Sequence, residues 1–215
     1  VNFPFREPLV CVAETIPAAD SHSPVRMSAD VATASERKKL SLALRAERGL
    51  IIAGNGIDQS RFILELAAKL NWPVIADPRS NCRVAPESSH GATVVTCADV
   101  MLRHQPTAES LKPTVVIRIG DPPVSKVLNQ WLARCGAEQI AVTQQPTLID
   151  PDKIVTTHIV GSFNELFMEM SRGTQAKPET EWISAWKVCE RKARTALDTR
   201  FSESNQLTEP LCAVT

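Results

Sequence analysis

Lys126 follows the apolar run Thr114–Ile119 and stands within Pro122-Pro123-Val124-Ser125-Lys126-Val127-Leu128-Asn129-Gln130-Trp131-Leu132. Val124, Val127, Leu128, Trp131 and Leu132 recur at helical spacing, which predicts one apolar stripe facing a sheet. The run therefore reads as a buried strand, a short Gly120-Asp121 turn and a helix begun by proline, with Asp121 as its cap. A cation in a helix's first turn opposes the helix dipole. Lys126 is then either a solvated surface lysine or a group aimed at an anion near the strand's carboxyl end.

Three other cations invite the same question. In Asp77-Pro78-Arg79-Ser80-Asn81-Cys82-Arg83, two guanidinium groups stand four residues apart. Their planar forks suit a carboxylate, which takes two parallel hydrogen bonds from each. The alternative is a solvated pair, with Arg79 held by Asp77. Arg118 sits inside a strand otherwise made of Val and Ile, and a buried charge needs a partner. It either reaches the strand's end or pairs with an acid such as Asp121 or Asp150.

Gly54-Asn55-Gly56 begins like a dinucleotide fingerprint, but position 59 is Gln where the third glycine belongs. Neither a Walker-A loop nor a GxSxG elbow occurs, and no glycine-aspartate motif with paired asparagines is present. No acid/base pair or nucleophile can be assigned. Six scattered cysteines without a CxxC pair read as reduced thiols, and four histidines form no HxxxH or HExxH pattern. A metal site built from this chain is not expected.

The elements that must position these residues follow from periodicity. A charged helix over Ala34–Arg48 precedes the strand Leu50–Ala53. A helix capped by Asp58 presents Phe62, Ile63, Leu66, Ala67 and Leu70, and leads to the strand Pro73–Ala76 and a polar loop to His90. Residues 94–104 read as helical, with Val94, Cys97, Ala98 and Met101 in phase. Strands are expected at Gln139–Val142 and Ile154–Val160, and helical stripes at Phe163–Met170 and Thr180–Arg200. The last of these carries Trp182, Trp186, Cys189, Ala193 and Ala196 on one side.

Short apolar strands alternating with amphipathic helices predict an α/β fold. It is a doubly wound, Rossmann-like parallel sheet of about five or six strands. The expected division is a linker over 1–35, a Rossmann-like domain over 36–175, and a C-terminal helix with linker over 176–215. With 24 acidic and 24 basic residues the net charge is zero, which favours neither a nucleic-acid nor a membrane-surface partner. No apolar run approaches the ~20 residues of a membrane span. The chain opens at Val1 with no charged-then-apolar signal segment, and reads as an excerpt of a longer protein.

Four segments occur in a telling order: Phe3-Pro4-Phe5-Arg6-Glu7-Pro8-Leu9, then Trp72–Pro78 with Ser80 and Arg83, then Gly120–Leu132, then Leu207-Thr208-Glu209-Pro210. Together they resemble the central part of the 2-succinyl-5-enolpyruvyl-6-hydroxy-3-cyclohexene-1-carboxylate (SEPHCHC) synthases of menaquinone and phylloquinone biosynthesis. The resemblance covers nearly the whole chain. It implies a thiamine-diphosphate enzyme of three α/β domains, a transferase that decarboxylates 2-oxoglutarate and adds the carbanion to isochorismate with release of CO2. It further implies that thiamine diphosphate and Mg2+ (or Mn2+) are held by domains outside this stretch, which is inactive alone.

By the same resemblance Lys126, with Ser125 beside it, contacts the anionic substrates. In some members the following residue is an arginine with the same role, and here it is Val127. Arg83 and Arg118 match positions near a middle-domain pocket that in some relatives binds the inhibitor 1,4-dihydroxy-2-naphthoate, and Arg79, in the same loop as Arg83, joins them as a candidate regulatory anion site. A dimer or tetramer is implied, in the cytoplasm of a bacterium or the plastid of a photosynthetic eukaryote. Two other readings stay open. One is a stand-alone Rossmann-like module, binding or regulatory, that senses a carboxylate. The other is the middle domain of a different thiamine enzyme, such as an acetolactate-synthase relative.

Overall fold

The structure is a computed structural model and describes residues 32–203. Most of the expected 1–35 linker lies outside those residues, as do the Phe3–Leu9 and Leu207–Pro210 segments. Six strands form one sheet: β1 (Gly49–Ala53), β2 (Pro73–Ala76), β3 (Thr93–Val95), β4 (Val115–Ile119), β5 (Glu138–Thr143) and β6 (Thr157–Val160). Their order is β3-β2-β1-β4-β5-β6 and every pairing is parallel. This is the doubly wound arrangement the sequence predicts, with its switch point between β1 and β4.

Each strand divides its side chains between two cores, as the two-residue repeat of a strand requires. Ile51 and Ala53 of β1, with Ile117 and Ile119 of β4, meet α1 (Ala34–Ala43), α2 (Arg61–Leu70) and α6 (Phe163–Gly173). Leu50, Ile52 and Val116 face the opposite layer, made by α3 (Ala98–Arg103), α4 (Gln105–Ser110), α5 (Lys126–Arg134) and α7 (Glu181–Ser202). Both faces are covered, so the inner strands are apolar throughout rather than alternating. β1 and β2 are buried at every position.

Several element limits differ from expectation. α1 stops at Ala43, and Ala46 and Arg48 lie in the turn to β1. α2 is capped at Ser60 rather than Asp58, and without a side-chain hydrogen bond. The expected helix over 94–104 contains β3 followed by α3, because the strand residue Val94 happens to fall in helical phase with Cys97 and Met101. α5 begins at Lys126, not at the prolines. Ser125 is its cap, its hydroxyl accepting from the Leu128 amide at 3.0 Å. Val124 therefore leaves the buried stripe and is 62% exposed.

α7 packs into the domain through Trp182, Ile183 and Trp186. Trp186 meets Trp131 of α5 and Trp182 edge-on, with ring centroids 6.2 and 6.1 Å apart. Further along α7, Leu197 rather than the exposed Ala196 continues the apolar side. At the amino end of β1 the Trp72 ring lies so near Gly49 that a Cβ there would stand 2.0 Å from the indole. The Trp72 indole N–H donates to the Ala46 carbonyl at 3.2 Å, and the Lys177 ammonium lies 5.1 Å from the ring centroid.

Candidate functional site

In open α/β sheets ligands gather beyond the carboxyl ends of the strands, at the switch point. Here the loops after β1 and β4 are joined backbone to backbone. The Gly54 amide donates to the Ile119 carbonyl at 2.8 Å, and the Asp121 amide to the Asn55 carbonyl at 3.0 Å. Neither glycine can be replaced without collision. A Cβ on Gly54 would sit 1.7 Å from the Asp121 carbonyl oxygen, and one on Gly120, which has φ +74°, would sit 2.0 Å from that of Asn55. The Asn55 side chain adds a 3.0 Å bond to the Asp121 carboxylate.

The Gly54-Asn55-Gly56 turn thus serves a loop-to-loop clasp. α2 starts only at Arg61, so its first turn does not follow the glycines as a diphosphate cradle requires. Beside the clasp lies a cavity of about 350 Å³, whose lining includes Asn55, Asp121, Thr143, Gln145 and Ile149.

On the other side of the clasp, Asp77 organises the next two loops. Its side chain is only 1% exposed. One carboxylate oxygen accepts from the Arg79 amide and from Arg79 Nε, both at 3.0 Å, while the other accepts from the Val124 amide at 2.8 Å. Burial pushes this carboxyl up, but the Arg79 and Val124 amides and the Arg79 guanidinium outweigh it and hold it below the usual carboxylate range. Arg79 then donates to the Pro122 carbonyl at 3.1 Å. The Arg79–Asp77 contact is the second of the two alternatives its position left open.

Arg83 points across the ends of β2 and β3, donating to the carbonyls of Ala76 at 2.9 Å and Thr96 at 3.4 Å. It shares a cavity of about 60 Å³ with Asp77, Thr96, Asp99 and Ser125. Two of the sequence-predicted site residues, Arg83 and Ser125, are thereby brought together. Arg118 is not. Its side chain is 7% exposed and pairs at 3.2 Å with Asp150, itself 10% exposed, from the loop between β5 and β6.

Lys126 occupies the first position of α5, exposed, and makes no hydrogen bond or ion pair among the described residues. The turn before it is fixed throughout. Besides the bonds to Pro122 and Val124, Asn129 Nδ2 donates to the Pro123 carbonyl at 2.8 Å and Ser125 Oγ donates to Asp99 at 2.6 Å. That Ser125 bond, helped by Arg103 against partial burial, draws the Asp99 carboxyl below its ordinary range.

Sequence reasoning missed Asp99 and Glu190. The Glu190 carboxylate, on α7, accepts from the amides of Thr96 and Cys97, both at 3.0 Å, and from the Thr96 hydroxyl at 2.8 Å. Arg194 joins the same group through Thr96 Oγ1. A lone glutamate in a charged helix carries no signal of such a role. Asp99 had one faint signal, an acid in the first turn of a helix.

The buried thiols Cys82, Cys97 and Cys135 are all held in their protonated form by burial. Burial pushes the Cys82 thiol up to about 11, and burial with the Glu190 charge also raises Cys97. Among the described residues, no group of three His, Cys, Asp or Glu could hold a metal ion. The described residues thus do not form a seat for a metal-bound diphosphate. No described helix is long and apolar enough to cross a membrane. What the arrangement offers chemically is one exposed ammonium and one guanidinium edge, both fitted to anions.

Comparison with known proteins agrees with this architecture. The chain is similar to the 2-succinyl-5-enolpyruvyl-6-hydroxy-3-cyclohexene-1-carboxylate synthase of Bacillus cytotoxicus, 30% identical over 208 residues that cover 92% of this chain and 35% of that protein. The namesake from Myxococcus xanthus is 29% identical over 232 residues, 99% of this chain and 38% of the relative. That of Staphylococcus saprophyticus is 31% identical over 200 residues, 90% and 33% respectively. The chain spans about a third of the length of these curated relatives. Residues 19–214 match the family described as the middle domain of thiamine pyrophosphate. With that match over most of its length, on a six-stranded parallel sheet, the chain belongs to the thiamine pyrophosphate middle-domain family.

Proposed function

We propose that this chain is the middle domain of a SEPHCHC synthase and supplies Lys126 to the binding of the anionic substrates, 2-oxoglutarate and isochorismate. The observation that carries the reading is the presentation of Lys126. It is an exposed ammonium with no partner among the described residues, at the carboxyl-end face of the sheet, on a turn whose every residue is held. Mounting a cation on a fixed turn limits the entropy lost when it meets a carboxylate. Ser125 contributes by capping the helix and directing its first turn. Thiamine diphosphate with Mg2+ or Mn2+ belongs, in this reading, to the other domains of the intact enzyme. The whole protein is a homo-oligomer of the bacterial cytoplasm.

Arg83 forms the edge of a regulatory anion site in the same proposal. A cavity of about 60 Å³ holds about two waters, enough for a carboxylate group and too small for a bicyclic ring. The ring of 1,4-dihydroxy-2-naphthoate would lie outside it, against the exposed Pro78 and Val124. Arg79 gives Nε to Asp77 and Nη2 to Pro122 and, 44% exposed, keeps further donors for such a site, whereas Arg118 is buried against Asp150.

The test is steady-state kinetics of the intact enzyme with Lys126→Met. The KM for at least one of the two substrates is expected to rise by about 10-fold, as loss of a charge-assisted contact of about 1.4 kcal/mol implies. Unchanged KM values for both substrates would remove Lys126 from the site. Naphthoate inhibition that survives Arg83→Ala unaltered would dismiss the regulatory reading alone.

A further inference from the structure

We infer that Asp77 and Asp99 are positioning residues for Lys126: two carboxylates, from the loop after β2 and from α3, that jointly fix the direction in which α5 presents its first side chain. The inference rests on the proposed contact between Lys126 and the anionic substrates.

Two acids divide the task. Asp77 holds the backbone of the turn, bonding the Val124 amide directly at 2.8 Å and the Pro122 carbonyl through Arg79 at 3.0 and 3.1 Å. Asp99 holds the cap. It accepts a hydrogen bond from the Ser125 hydroxyl at 2.6 Å, which turns the Ser125 lone pairs toward the Leu128 amide at 3.0 Å. A serine hydroxyl caps a helix with or without such a neighbour, so the Asp99 contact adds direction rather than a missing bond. Residues 122 and 124 are thus fixed by Asp77 and residue 125 by Asp99, and Lys126, first in the helix, has the first side chain with no partner among the described residues.

The chemistry of the two acids suits the role. A neutral amide at position 77 cannot reproduce it, because an asparagine offers one acceptor oxygen and the site demands two, one toward Arg79 and one toward Val124. Both carboxylates are also matched within the protein, Asp77 by Arg79 and Asp99 by Arg103, so neither presents a naked negative charge beside Lys126. An unmatched carboxylate there would compete with the substrate for the ammonium.

A double-mutant cycle in the intact enzyme decides the matter. Asp77→Asn and Asp99→Ala are each made alone and combined with Lys126→Met, and KM and kcat are read for 2-oxoglutarate and isochorismate. Asp99 has a side chain 42% exposed, so Asp99→Ala folds even should Asp77→Asn not. Displacing Lys126 is expected to raise the KM of the substrate it contacts about 10-fold in each single variant. In the Lys126→Met background the same changes are expected to raise it no further. An equal rise in both backgrounds, or no rise in either, overturns the positioning role while leaving the Lys126 reading intact. If Lys126→Met itself leaves both KM values unchanged, the Lys126 reading fails and takes the inference with it.

Discussion

The Asp77 carboxylate bonds the Val124 amide at 2.8 Å across 47 residues of chain, fastening the end of β2 to the turn that opens α5. An acid beside a proline in a polar loop becomes, through that bond, part of the mount for a residue two strands away in the sheet.

The same bond makes the domain sensitive to acid. The folded Asp77 carboxyl holds its proton less tightly than the unfolded one, whose ordinary value is 3.8. Its contribution to stability is therefore fully present above that value and is lost as the pH falls toward the lower folded one. Urea midpoints measured from pH 5 downward are expected to fall less steeply for Asp77→Asn than for the natural sequence. Parallel slopes would contradict a depressed Asp77.

At the clasp, Gly120→Ala meets two obstacles at once: φ +74° and a Cβ 2.0 Å from the Asn55 carbonyl oxygen. The expected cost is about 3 kcal/mol or more, since strain and overpacking each contribute 1 to 3 kcal/mol. Gly136 offers a control. It has φ +71° with nothing within 4 Å of its virtual Cβ, so Gly136→Ala meets only the strain. Thermal unfolding of the two variants should rank them in that order.

The pair Arg118–Asp150 is nearly dry, with side chains 7% and 10% exposed. Asp150→Ala strands a buried guanidinium and is expected to destabilise by about 3 to 5 kcal/mol, whereas Arg118→Met with Asp150→Leu should recover most of the loss. Chemical denaturation of the three proteins checks this. A double variant no better than Asp150→Ala would place the loss in the Val155 amide, which donates to Asp150 at 2.9 Å and loses its acceptor in both variants.

The strands β1, β2 and β4 were legible because parallel strands buried on both faces are continuous apolar runs, as Leu50–Ala53 and Val115–Val116-Ile117 are. β3 was not. Three residues, Thr93–Val95, are too few to display a period of two, and their neighbours Cys97 and Met101 impose a helical one. The start of α5 was misplaced for a related reason. Proline tolerates a first turn but does not compel one, and Asp121, the apparent cap, is engaged by Asn55. Lys126, Ser125 and the arginines could be named from residue type and resemblance. Asp77 for Arg79 and Asp150 for Arg118 were among the candidate partners. The bonds from the Val124 amide to Asp77 and from Ser125 to Asp99 were not, since those pairings are made by the sheet and not by the local chain.

Two bonds to a single carboxylate constrain the order in which this protein can be finished. The Thr96 and Cys97 amides at the sheet's β3 edge find their acceptor in Glu190, 94 and 93 residues later. During synthesis that edge emerges long before its acceptor is made, and until then its two amides have only water. The β3 corner therefore cannot gain these bonds until α7 has left the ribosome, although its own residues are among the earlier ones made.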